Sequence, residues 1–84
     1  MEITFQHPKS SQNYVADINP NATPEVCLAG LQKESFITKG EYELQNSRTG
    51  HQIPTGTALK DCAVLHGDHI QILEVNNGAG KCLI

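Results

Sequence analysis

Apolar and polar residues alternate from the start of the chain, with Ile3, Phe5 and His7 on one side and Glu2, Thr4 and Gln6 on the other. A period of two is the signature of a strand with one buried face, and Pro8 ends it. The polar cluster Lys9-Ser10-Ser11-Gln12-Asn13 reads as a turn, after which Tyr14, Ala16 and Ile18 alternate with Val15 and Asp17. These two segments predict a hairpin, residues 1–7 against 14–18. Asn19-Pro20-Asn21-Ala22 breaks the second strand, and Thr23 followed by Pro24 supplies an N-cap residue with proline in the first helical position. A helix is expected from Pro24 to about Glu34. Cys27, Leu28 and Leu31 fall on one side of it, away from Glu25, Gln32 and Lys33, so its apolar stripe is narrow and suits a helix lying across a sheet. Gly30 weakens such a helix by about 1 kcal/mol relative to alanine, and its expected use is to let a strand approach closely.

Phe36 and Ile37 are expected to fold back towards the core, and Thr38-Lys39-Gly40 to turn the chain. Tyr42 and Leu44 then set the buried face of a third strand, whose other face is Glu41, Glu43 and Gln45. Asn46 to Gly50 is a polar reverse turn, followed by a short strand, His51 to Ile53, that Pro54 stops and so places at a sheet edge. Leu59 and Val64 bracket a turn-rich crossover, Gly67-Asp68 makes the last turn, and Ile70 and Ile72 form the inward face of a closing strand. The core expected from this pattern is Ile3, Phe5, Ile18, Leu28, Leu31, Leu44, Leu59, Ile70 and Ile72. By alternation Gln71, Leu73 and Val75 point to the opposite face, which leaves the apolar groups of Leu73 and Val75 in solvent. After Val75 the periodicity stops, and residues 76–84, with Gly78-Ala79-Gly80 among them, are expected to form a flexible tail.

At 84 residues the chain has room for one domain, expected over residues 1–75, and for one small core, which argues against a deep catalytic pocket. A net charge of −3, with six lysines and arginines scattered along the chain, offers no basic patch for a phosphate backbone, so no nucleic acid partner is expected. No stretch approaches the apolar length a bilayer requires, and the N-terminal residues lack the basic flank and apolar run of a signal peptide. The expectation is therefore a cytoplasmic protein without a membrane partner. Cys27, Cys62 and Cys82 are odd in number and widely spaced, which reads as free thiols and not as a disulfide framework or paired metal knuckles. Cys27 falls on the apolar side of the helix, where a thiol behaves as a small hydrophobe. Cys82 stands third from the last residue, whereas prenylation requires the fourth. His66 and His69 flank Asp68, but a turn with solvated imidazoles explains the trio better than a metal site. No metal site, no cofactor and no catalytic residue is assigned.

The order β-β-α-β-β-β at this length resembles the β-grasp fold of ubiquitin and its relatives, an α+β architecture with a mixed sheet of four or five strands and one helix packed across it. The second half carries the resemblance: Tyr42 to Leu44, Arg48 to Ile53, Ala58-Leu59-Lys60-Asp61, Val64-Leu65-His66-Gly67-Asp68, and Ile70 to Leu73. It implies that the first and last strands are adjacent and parallel at the centre of the sheet.

The resemblance also implies a function. Ubiquitin-like modifiers present a C-terminal glycine that an E1-like enzyme adenylates with ATP, an E2-like cysteine receives, and a target amine finally attacks. Glycine suits that role because it lets the backbone stay extended in a narrow channel without a Cβ clash. Here Gly78-Ala79-Gly80 stands in place of a Gly-Gly pair and Lys81-Cys82-Leu83-Ile84 follows it, so the family pattern implies removal of Lys81 to Ile84 by a peptidase, leaving Gly80 as the reactive terminus. Gly78, Ala79, Gly80 and Lys81 are thus the conjugation and processing residues, and Gln71, Leu73 and Val75 the partner-binding surface. The implied partners are an E1-like activating enzyme, an E2-like conjugating enzyme, a processing peptidase and a target protein, as in bacterial defence operons that encode such sets. ATP belongs to the activating enzyme. Two other members of the same fold remain as alternatives: a sulfur carrier with a thiocarboxylate at the glycine, and a non-conjugated binding module of a bacterial secretion system.

Overall fold

Alternation becomes pairing in the computed structural model, which describes residues 1–75. Strand β1 (Glu2–Gln6) pairs antiparallel with β2 (Asn13–Asp17), joined by a hairpin in which the His7 N–H donates to the Gln12 carbonyl at 2.9 Å. Helix α1 (Pro24–Lys33) follows, then β3 (Tyr42–Asn46), the two-residue β4 (Gln52–Ile53), a 3₁₀ turn over Leu59–Cys62, and β5 (His69–Glu74). The five strands form one sheet in the order β2-β1-β5-β3-β4. β5 is central, parallel to β1 and antiparallel to β3, and the helix packs across the sheet closest to β3. This is an α+β, β-grasp arrangement. Among the described residues no helix is long and apolar enough to cross a membrane.

The core consists of the inward strand positions Ile3, Phe5, Tyr42, Leu44, Ile53, Ile70 and Ile72, covered by Cys27 and Leu31 from the helix and by Ile37, Leu59 and Val64 from the connections. Two residues expected in it, Ile18 and Leu28, are only half-buried. Ile18 lies just past β2, an edge strand that the helix, seated towards β3, covers incompletely. Leu28 sits about 40° beyond the edge of the buried arc set by Pro24, Cys27 and Leu31, at roughly 100° per residue, and so packs at the rim. Gly30 is a second correction: it is exposed, and a Cβ placed there would meet nothing within 4 Å, so no strand approaches it.

The helix ends differ from each other in how they are closed. Thr23 has the extended backbone of an N-cap and its carbonyl accepts the Cys27 N–H, but its side chain makes no capping hydrogen bond. Glu25 instead turns its carboxylate outward to the Gly56 N–H at 2.9 Å, which ties the loop after β4 to the first helical turn and holds that carboxyl below its ordinary range. At the other end Ser35 takes a left-handed φ of 64°, and the Phe36 N–H returns to the Leu31 carbonyl at 3.0 Å. These are the bonds of a Schellman closure, and they deliver Phe36 against the rings of His7 and Tyr14 at 5.4 and 5.3 Å.

Candidate functional site

Every second strand residue points away from the helix, and the register sorts these outward residues into rows. Gln6 pairs with Asn13 and with Gln71, Gln71 pairs with Gln45, and Gln45 pairs with Gln52. One row of five amide side chains therefore crosses all five strands. On one side of it Val15, Thr4 and His69 lie in register, and on the other Leu73 lies beside Glu43. The amides are held from within. Gln71 Nε2 donates to the Ile72 carbonyl at 2.8 Å and lies 3.4 Å and 3.5 Å from the carbonyls of His7 and Gln6, and Gln45 Nε2 donates to the Gly50 carbonyl at 3.0 Å.

Of the residues expected to bind partners, Leu73 is on this outer face and 36% exposed, Gln71 is half-buried at the centre of the amide row, and Val75 is half-buried just past β5, where its N–H donates to the Glu41 carbonyl. The strand thus brings Gln71 and Leu73 onto one surface, and β5 leads directly into the segment with the glycines. Gly78, Ala79, Gly80 and Lys81, expected to carry processing and conjugation, lie outside the described residues, as do Cys82 and the rest of residues 76–84.

A second constellation, not foreseen from the sequence, ties the turn before β5 to the β3–β4 turn. Asp68, buried in the turn before β5, accepts from Arg48 Nε at 2.8 Å and Nη2 at 3.1 Å, from Asn46 Nδ2 at 3.1 Å and from the Leu65 N–H at 2.8 Å. Arg48 also donates to the Ala63 carbonyl at 2.7 Å, and the Asn46 side-chain oxygen accepts the Arg48 N–H. A carboxylate so supplied with donors is stabilised in its charged form, and the Arg48 guanidinium first of all holds Asp68 down to about 2. The network joins the β3–β4 turn, the 3₁₀ connection and the start of β5. Gly67 makes it possible, since its φ of 87° reverses the chain and its N–H reaches the Glu2 carbonyl at 2.7 Å.

The Cys27 thiol and the His66 and His7 imidazoles are engaged within the fold. Cys27 is buried in the core, and desolvation pushes its thiol up to about 11, away from reactivity. His66 Nδ1 accepts the Glu2 N–H at 3.0 Å, and His7 Nδ1 accepts the N–H groups of Lys9 and Ser10. Among the described residues no three His, Cys, Asp or Glu side chains converge in a way that could hold a metal ion. An open apolar groove of about 330 Å³ lies between β2 and α1, lined by Tyr14, Ala16, Ile18, Val26 and Leu31. It exists for the reason Ile18 is half-buried: the helix sits away from this edge.

No protein-family model matches the chain, and a search of curated proteins finds none similar to it.

Proposed function

We propose that this chain is a ubiquitin-like protein modifier. In this reading it is cleaved after Gly80, adenylated there by an E1-like enzyme, passed to an E2-like cysteine and joined to a target amine. The observation that carries the reading is the position of β5. It is the central strand, it displays Gln71 and Leu73 on the open face of the sheet, and the chain runs from it through Val75 to Gly78-Ala79-Gly80. From Val75 to Gly80 is five residues, a reach of at most about 18 Å, so an enzyme docked on the face and an enzyme acting on the glycine can be one and the same. The chain then acts as the substrate of its partners and performs no catalysis itself, ATP being consumed by the activating enzyme, in the cytoplasm. The bacterial defence setting rests on the resemblance alone.

Intact mass spectrometry of the chain expressed beside its genomic neighbours tests this reading. The expected result is a species shortened by Lys81 to Ile84, together with higher-mass adducts in which its carboxylate is in isopeptide linkage to lysine. A shortened chain gaining one sulfur in place of one oxygen would assign it as a sulfur carrier. An unshortened chain with no adducts would leave a non-covalent binding module.

A further inference from the structure

The five strands contain no lysine and no arginine. A solvated sheet face ordinarily intersperses both signs of charge, and edge strands in particular use lysine to discourage pairing. Here the titratable groups that point outward are Glu2, Asp17, Glu43 and His69. Asp17 is already paired with the Met1 ammonium at 3.1 Å, so the free acid nearest the centre is Glu43.

The amides bias the face further in the same direction. A backbone carbonyl accepts only from the nitrogen end of an amide, so the bonds from Gln71 Nε2 and Gln45 Nε2 to carbonyls fix which end of each is spent. Each Nε2 thus spends donor capacity inside the chain, Gln45 one of its two N–H groups, and no bond to either Oε1 is seen among the described residues. No buried side-chain oxygen among the described residues lacks a partner, so these two oxygens reach solvent. Cross-strand neighbours have Cα atoms about 5 Å apart, so Gln45 and Gln71 stand as neighbours on this face. Glu43 is two residues along β3 from Gln45, and Leu73 beside it is the one exposed large apolar group of β5.

Arginine matches each part of this surface. Its aliphatic stem covers apolar area, its guanidinium spreads five donors in a plane, and it is less strongly hydrated than the lysine ammonium, so it is given up by water more readily. We propose that the outer face of the sheet docks an arginine-bearing segment of a partner protein, with the stem on Leu73 and the guanidinium donating to the Glu43 carboxylate and to Oε1 of Gln45 and Gln71. This rests on the reading of the face as the docking surface of a modifier and adds the chemistry of what docks; the glycines take no part in it.

The test is a titration of the isotope-labelled full-length chain at neutral pH with a capped peptide carrying three arginines between glycine and serine spacers, and with its lysine counterpart. The side-chain amide resonances of Gln45 and Gln71 and the Leu73 methyl resonances are expected to move on adding the arginine peptide, and the lysine peptide to bind at least about fivefold more weakly. The pair Gln45→Lys with Gln71→Lys should lower affinity for the arginine peptide at least about tenfold. Asn21→Lys with Val26→Lys, an equal change of charge at two exposed sites off this face, should lower it less than about threefold. Thermal melts check that both variants fold, and Glu43→Gln probes the same contact should the first pair be destabilised. Absence of binding, equal affinity for the two peptides, equal losses in the two variant pairs, or shifts confined to the helical side around Glu25 and Glu34 would each overturn the assignment. Neither tail cleavage nor an activating enzyme enters the experiment, so its failure is distinct from failure of the conjugation reading.

Discussion

Asp68 shows how one carboxylate can hold three connections of a small domain in place. It accepts four hydrogen bonds from Arg48, Asn46 and the Leu65 N–H, while only 6% of it is exposed. Its carboxyl is held at about 2, below the 3.8 of an unfolded chain, so the unfolded state binds its proton first as the pH falls. The network therefore contributes its full stability above about pH 4 and loses it between there and about pH 2. Asp68→Asn turns an amide nitrogen towards donors and should cost about 1.5–3 kcal/mol at neutral pH, the range for hydrogen bonds to a charged group. Chemical denaturation of both proteins across this range checks the account: the gap between them should narrow from pH 4 to pH 2, and a gap constant with pH would show that the charge is not what matters. Nothing in the linear pattern marks this role. Gly67-Asp68 is legible as a turn, but Asn46 and Arg48 read only as members of a polar loop, because their partner is some twenty residues away and is brought to them by the β3–β5 pairing.

Helix α1 separates what periodicity can establish from what it cannot. Its start at Pro24 and its buried side at Cys27 and Leu31 follow from the sequence. The half-burial of Leu28 does not, because a stripe of 3.6-residue period has a direction but no sharp edge, and the seat of the helix on the sheet decides where burial stops. The role assigned to Gly30 failed for a similar reason: a glycine in a helix signals close approach only when a neighbour is present. With open space around it, Gly30→Ala should raise stability by about 0.5–1 kcal/mol, whereas Leu31→Ala, which empties a core site, should cost about 2–5 kcal/mol. Urea denaturation of the two variants measures both, and a destabilising Gly30→Ala would mean that the space beside the helix is not open. β1, β2, β3 and β5 were legible as elements from alternation, and the short β4 from the turn before it and Pro54 after it. The amide row was not, since each of its residues is simply a polar outward position until register aligns them.

At the scale of the molecule, the sheet order places the last strand at the centre, with a paired strand on each side, and the sequence runs from it to the glycines. Under the proposed reading, a β-grasp domain whose central strand runs in sequence to the glycines serves as a substrate that other proteins handle. That is the central claim, and ATP–pyrophosphate exchange with the cognate E1-like enzyme tests it most directly, using the full-length chain, a chain ended at Gly80, and the latter with Gly80→Ala. The account predicts exchange with the chain ended at Gly80. It predicts none with the full-length chain, whose Ile84 side chain does not fit a channel shaped for glycine, and the Gly80→Ala form should lose most of the activity while its melting temperature is unchanged. Exchange that is absent from all three, or equal in all three, would contradict it.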